Sequence, residues 1–387
     1  MLKYLRRHTN AKSFIPEIDG LRFFAIFTVV VYHLNTTYSE ATGLDWKLAL
    51  GVLGPQQIGW WLLRFDVGVK VFFALSGFIL SLPFLKHYLN GDQKIGLGDY
   101  FYRRLTRLEP PFIITLFLFF LVHIFILKNS ASELFPGLLA SIFYLHTFIF
   151  GIPSVINPVT WSLETEAQFY LSIPFLLAAF FYFKNKWIAF SLILVLIALS
   201  IWWKSIILQR DFEHLYYSIF AYWSNFLVGV ILAFFYISSP DFFKLKTYLW
   251  DSIGLLAIFL LFYFYKPQSL WSNNFVFNFS LFVMLISGFK GKLTNYFYTR
   301  EIIFVVGGMC YTIYLLHYAF FHLLMKYSKN LTSDMSYSQG LSIQLFIGFS
   351  LLMVVSSLFF VLIEKPCMDK RWPQQLTAFV KKKVVVK

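Results

Sequence analysis

Arg22 and His33 stand in a stretch, residues 21–38, that is otherwise rich in Phe, Ile and Val. They are eleven positions apart. At ~100° per residue their side chains fall within roughly 20° of one another on a helix, about 16 Å apart along its axis. Both therefore point to one side, with Arg22 near one end and His33 deep in the run. An ionisable group inside a bilayer is costly to place, which makes it a candidate for function. An imidazole titrates near neutrality, so it can take a proton from a hydroxyl and return it. Its nitrogen can also carry an acyl group covalently, and spacing does not separate the two. A packing histidine bonded to a backbone carbonyl or a hydroxyl is the plain alternative.

Other polar residues cluster in short runs. Asp19, before Gly20 and the apolar stretch, reads as the N-cap of the first helix, with orienting Arg22 as the alternative. In YFYRRLTRLEPPF, Arg104 and Arg107 lie at i and i+3 and share a helical face. Two such guanidiniums can clamp phosphate oxygens, or simply anchor a cytoplasmic rim; Pro110 and Pro111 end that segment or open the next helix. In FFALSGF, the small Ser76 and Gly77 admit either a neighbouring helix or a thin ligand chain. In WSLETEAQFY, Glu164 is placed to cap its own helix, and Glu166 is a candidate acid facing a cavity from the extracytoplasmic mouth. His317 in YTIYLLHY forms an i, i+3, i+6 stripe with Tyr311 and Tyr314, suited to structure or acceptor contact. His123, His146, His214 and His322 share no metal-ligand spacing, and Cys310 and Cys367 form no recognisable pair, so no metal site is expected.

These residues need a membrane scaffold to hold them. The 387-residue chain is 58% hydrophobic and only 13% charged, where a soluble domain carries roughly 25%. Ten apolar segments of helix length lie near 21–38, 67–85, 110–127, 162–183, 187–203, 214–237, 248–265, 270–289, 302–325 and 341–363. The expected fold is thus all-α and integral to the membrane, with about ten transmembrane helices. A further run at 137–150 is short for a crossing. If it does not cross, most of the 33 Lys and Arg fall on one side; if it does, more than half fall outside. The positive-inside rule favours the first arrangement, with 137–150 re-entrant or broken and both termini cytoplasmic. The basic start reads as leading into a retained first helix, not a cleaved signal. One transmembrane domain is expected over 1–372, with a short basic tail at 373–387. The formal charge of +14 follows from basic loops and implies no nucleic-acid partner.

Taken in order, EIDGLRFFAIFTVVVYHL, FFALSGF, YRRLTRLEPPF, WSLETEAQFY, YTIYLLHY and the closing IEKP resemble the acyltransferase 3 family of membrane O-acyltransferases over nearly the whole chain. The family's motif of a basic residue, ten others and a histidine falls on Arg22 and His33. Its RxxR falls on Arg104 and Arg107, its SGF on Ser76, Gly77 and Phe78, and its WSLxxE on Trp161, Ser162, Leu163 and Glu166. The resemblance implies an acyl-CoA co-substrate, often acetyl-CoA, with no permanently bound cofactor. It implies an acceptor hydroxyl on a cell-surface glycan, a lipid-linked sugar or a small metabolite, and residence in the inner membrane. It makes His33, Arg22 and Glu166 catalytic candidates, Arg104, Arg107, Ser76 and Gly77 donor-binding candidates, and Trp161, Tyr314 and His317 acceptor or structural ones. Lys70 and Glu109 depart from the family pattern; Lys70 marks a different acceptor, and Glu109 weakens the phosphate face. A secondary transporter or flippase would use similar intramembrane charges, but no inverted repeat is visible.

Overall fold

In the computed structural model, residues 2–7, 14–210, 212–265, 271–369 and 371–375 are described. Among them every regular element is a helix, and the sole extended pairing is a bridge between Thr247 and Gly291. The principal helices are α1 (Pro16–Thr42), α2 (Val67–Asn90), α3 (Leu97–Phe125), α4 (Ala131–Ile142), α5 (His146–Phe150), α6 (Trp161–Phe180), α7 (Lys186–Gln209), α8 (Ile219–Ser238), α9 (Tyr248–Tyr263), α10 (Trp271–Lys290), α11 (Glu301–Gly308), α12 (Cys310–Ser328) and α13 (Tyr337–Phe359). Their ends follow from local chemistry. Pro16 opens α1 where no intrahelical N–H is needed, and Gly43 closes it in a left-handed conformation. Asn185 accepts from two backbone amides at the start of α7. Ser336 and Gln339 form a capping box on α13.

Six helices, among the described residues, are long and apolar enough to cross a membrane, and the pair α11 and α12 makes a seventh if taken as one span. The chain is therefore a multi-pass membrane protein, but the expected ten crossings are not reached on length and composition. The remaining expected positions hold α1 and α6, which carry charged residues, and α9, which has only 16. Burial sorts the rest. The apolar window of α8 is 78% buried, whereas those of α7 and α13 are each 22% buried. Helix α8 is thus central, and α7 and α13 turn Leu, Phe and Val outward, as lipid contact requires.

One expected break is present, and two expected helices differ. The segment 137–150 is broken, as expected: α4 stops at Ile142, Tyr144 takes a φ of 58°, and five-residue α5 follows. The expected span 302–325 is not continuous, because α11 and α12 meet at a 67° bend at Met309. By contrast, Pro110 and Pro111 neither end nor begin a helix, since α3 runs through both. A proline leaves the carbonyl four residues back without its amide partner. Here the Trp372 indole N–H donates to the Thr106 carbonyl at 2.8 Å, replacing the missing Pro110 N–H. Nearby, the Tyr311 hydroxyl donates to the Leu108 carbonyl at 2.9 Å. Of the expected tail, 373–375 are described and Lys381–Lys383 lie outside the described residues.

Helix α1 sits at the hub and packs against α2, α11 and α12. Small residues permit this approach. A Cβ on Gly307 would strike the Asp19 carbonyl of α1, and one on Gly68 the Ala25 carbonyl. Helices α2 and α8 interlock reciprocally: Gly77 lies on the Phe226 carbonyl and Gly229 on the Ala74 carbonyl.

Candidate active site

Five helix systems converge on one open-mouthed chamber with a cavity volume of about 90 Å³. Helix α1 supplies Arg22, α2 supplies Ser76, and α3 supplies Arg104 and Arg107. Helix α6 contributes Ser162, Glu166 and Tyr170, spaced four apart and hence on one stripe. The bend between α11 and α12 adds Tyr311 and Tyr314, and the N-terminal turn adds Arg7. Four guanidiniums thus line a single cavity.

Asp19 organises two of them. Its Oδ1 accepts from Arg7 at 2.6 Å and Arg22 at 2.7 Å. Asp19 therefore is not the N-cap of α1, which begins three residues earlier with Ile15 in the cap position; it orients Arg22 instead. Buried Glu364, from IEKP, accepts from the Thr312 amide at 3.2 Å and hydroxyl at 2.5 Å. It lies within electrostatic range of Arg7 and Arg107. The Nε atoms of Arg7 and Arg107 are buried with no hydrogen-bond partner among the described residues. Orphaned buried donors beside surplus positive charge fit an anionic ligand rich in oxygen acceptors.

Ser76 hydrogen-bonds Glu166 across the chamber, and the Tyr170 hydroxyl also bonds that carboxylate. Glu166 accordingly shares the arginines' chamber and does not stand at a separate far mouth. The reason is that α2 and α6 pack side by side at Ser76. Gly77 lines no part of the chamber, because it faces α8; its donor-binding assignment gives way to helix packing. Glu164 does not cap its own helix. Its Oε2 accepts from the Thr147 amide and hydroxyl, each at 2.8 Å, and so caps α5.

His33 forms the other half of the site. Its Nδ1 lies 3.0 Å from His317 Nε2. His317 Nδ1 faces two carbonyls, Tyr314 at 2.7 Å and Ile313 at 3.2 Å, so it must carry the proton. In neutral His317, Nε2 is then the acceptor, and His33 Nδ1 donates to it. That assignment leaves the lone pair of neutral His33 on Nε2. His317 is held by a further chain: the Tyr314 hydroxyl pairs with Ser162 Oγ at 2.6 Å and donates to the Val159 carbonyl at 2.9 Å. His33 is half-buried but does not line the arginine chamber, whose wall includes Phe72 and Tyr314, ring centroids 6.1 Å apart. Trp161 faces the opposite way and packs on Phe73, Tyr217 and Tyr222.

Beside the chamber lies an almost wholly apolar recess of about 880 Å³, which shares Arg104, Glu166, Tyr170 and Tyr311 with it and includes Glu109. Sequence inspection did not single out Arg7, Tyr170 or Glu364 for this site. Glu364 was signalled by IEKP, whereas Arg7 reads only as part of a basic terminus. Among the described residues, no group of His, Cys, Asp and Glu could hold a metal ion.

The sequence matches the acyltransferase 3 profile, described as an acyltransferase domain, over residues 15–363. It is 27% identical over 329 residues to the O-acetyltransferase OatA of Staphylococcus aureus, covering 79% of this chain and 50% of OatA. It is also 25% identical over 407 aligned residues to a putative O-acetyltransferase of Staphylococcus aureus, covering 96% of this chain and 61% of that protein. The chain thus spans about half the length of the curated relatives it matches. No solved structure matches it. A profile covering nearly the whole chain, with its motifs gathered around one chamber, makes the protein a member of the acyltransferase 3 family.

Proposed function

We propose that the protein is an O-acyltransferase that moves an acetyl group from acetyl-CoA to a hydroxyl of a glycan, a lipid-linked sugar or a small metabolite. The observation that carries this is the chamber of four arginines abutting, through Tyr314, the hydrogen-bonded pair His317–His33. The names of its relatives, O-acetyltransferases, favour acetyl as the group moved.

In this account Arg7, Arg22, Arg104 and Arg107 hold the phosphates of the donor, each guanidinium offering several N–H donors. Ser76 and Glu166 flank the path of the pantetheine arm. Phe72 and Tyr314 must yield for the thioester carbonyl to reach His33. His33 Nε2 then takes the proton of the acceptor hydroxyl as its oxygen attacks that carbonyl. The carbon–sulfur bond breaks, and the departing CoA sulfur takes the proton back from His33. The products are the acetyl ester and free CoA. His317 acts as a positioning residue, holding the His33 ring and its tautomer. The basic mouth faces the cytosol, where the donor is made, with both termini cytoplasmic and the chain in the inner membrane.

The test is acetyl transfer from labelled acetyl-CoA by purified protein. Wild type should release CoA in step with ester formation, and His33→Ala should lose at least about 100-fold in rate while keeping its melting temperature. Full activity in a folded His33→Ala protein would remove the base from the mechanism. A stable acetyl-imidazole trapped by hydroxylamine would replace the base with a covalent relay.

A further inference from the structure

Lys70 departs from the family pattern, and the chamber does not use it. It is 6% exposed, near the start of α2. Its Nζ lies 3.2 Å from Asp66 Oδ2 and packs over the rings of Tyr265, at 5.0 Å, and Tyr222, at 5.9 Å. The Tyr265 hydroxyl donates to the same Oδ2 at 2.5 Å. A second ammonium, Lys204 of α7, approaches the Tyr222 ring at 5.5 Å. Among the described residues, this nest therefore holds two lysines against one carboxylate. Ion pairs within a protein interior normally balance, because an uncompensated buried charge is costly. An anionic ligand group placed there would pair the second lysine.

The remaining chemistry narrows that anion. Asp66 Oδ1 is buried with no hydrogen-bond partner among the described residues, so an acceptor stands ready for a ligand hydroxyl. Tyr222 and Tyr265 are buried, whereas Trp161, Tyr216 and Lys204 are half-exposed. Aromatic faces with a hydroxyl-accepting carboxylate suit a sugar ring, whose C–H face is apolar and whose edge carries hydroxyls. Position ties the nest to the reaction. Tyr32, beside His33 at 5.3 Å between centroids, lies within electrostatic range of Asp66 and Tyr216. Trp161 is the residue before Ser162, which bonds Tyr314. None of Asp66, Lys70, Lys204, Tyr222 and Tyr265 lines the arginine chamber.

We propose that Asp66, Lys70, Lys204 and the surrounding aromatic rings form the acceptor subsite, and that it takes a sugar bearing a carboxylate. This deepens the acyltransferase account and rests on it for the role of acceptor, though not for binding. The carboxylate pairs with Lys204, a ring hydroxyl donates to Asp66, and a neighbouring hydroxyl reaches toward His33.

The experiment uses the full chain in nanodiscs with two probes, methyl α-D-glucuronide and methyl α-D-glucoside. Binding is read by saturation-transfer NMR and acetyl transfer is measured in parallel. Wild type should bind the glucuronide about ten-fold more tightly, the usual scale of one charge-assisted contact. Lys204→Met should lose that preference, and Lys204→Arg should keep most of it. The acceptor KM should rise in Lys204→Met with the donor KM unchanged. Absence of glucuronide binding in wild type, equal binding of both sugars, or an undiminished preference in Lys204→Met overturns the subsite. Preferential binding without any acetyl transfer keeps the subsite and removes the acyltransferase reading instead.

Discussion

Replacing His317 by alanine isolates what the paired imidazoles do. The substitution removes the Nε2 acceptor that lies 3.0 Å from His33 Nδ1. A buried donor left unsatisfied costs about 1–3 kcal/mol. At 1.36 kcal/mol per factor of ten, kcat should fall roughly 10- to 100-fold. The lower end is favoured, because His33 is only half-buried and water can reach the unpaired nitrogen. The donor KM should stay within about two-fold, since His317 lines no part of the arginine chamber. His317→Gln, whose amide oxygen can stand near the lost Nε2, should recover part of kcat. The assay is steady-state CoA release at saturating acceptor, with melting temperature as the folding control. An unchanged kcat, or a loss confined to the donor KM, would refute the positioning role.

Arg104→Gln/Arg107→Gln together should raise the donor KM at least about ten-fold with a smaller effect on kcat, and should flatten the dependence of KM on salt; an effect on expression alone would make these residues topological. Gly77→Ala should destabilise the protein by about 1–3 kcal/mol, because the added methyl meets the Phe226 carbonyl; a KM effect without loss of thermal stability would return Gly77 to the donor path. Trp372→Phe removes the donor to the Thr106 carbonyl and should cost about 1–3 kcal/mol in thermal unfolding. An unaltered melting temperature would show that water or a relaxed helix satisfies that carbonyl.

Much of the site was legible because it is local. The eleven-residue spacing of Arg22 and His33 and the i, i+3 spacing of Arg104 and Arg107 are helix arithmetic, and all three arginines do line one chamber. What spacing cannot carry is long-range pairing. His317 meets His33 across 284 positions, and Glu166 meets Ser76 across 90. Gly77 looked like a gap for a ligand because small residues read alike whether they face a cavity or a helix; only the rotation of α2 against α8 decides. Asp19 looked like a cap since an acid before an apolar run usually is one, but Pro16 starts the helix a turn earlier. The path through Pro110–Pro111 depended on Trp372, a remote donor that no local pattern reveals.

The central claim is that a donor held by the arginines delivers its carbonyl past Phe72 and Tyr314 to His33. An electron cryo-microscopy structure of the protein with a non-hydrolysable acetyl-CoA analogue tests it directly. The account predicts phosphates against Arg22, Arg104 and Arg107, displaced Phe72 and Tyr314 rings, and the acetyl carbonyl beside His33 Nε2. Phosphates bound away from those arginines, or a carbonyl still walled off from His33 by Tyr314, would contradict it.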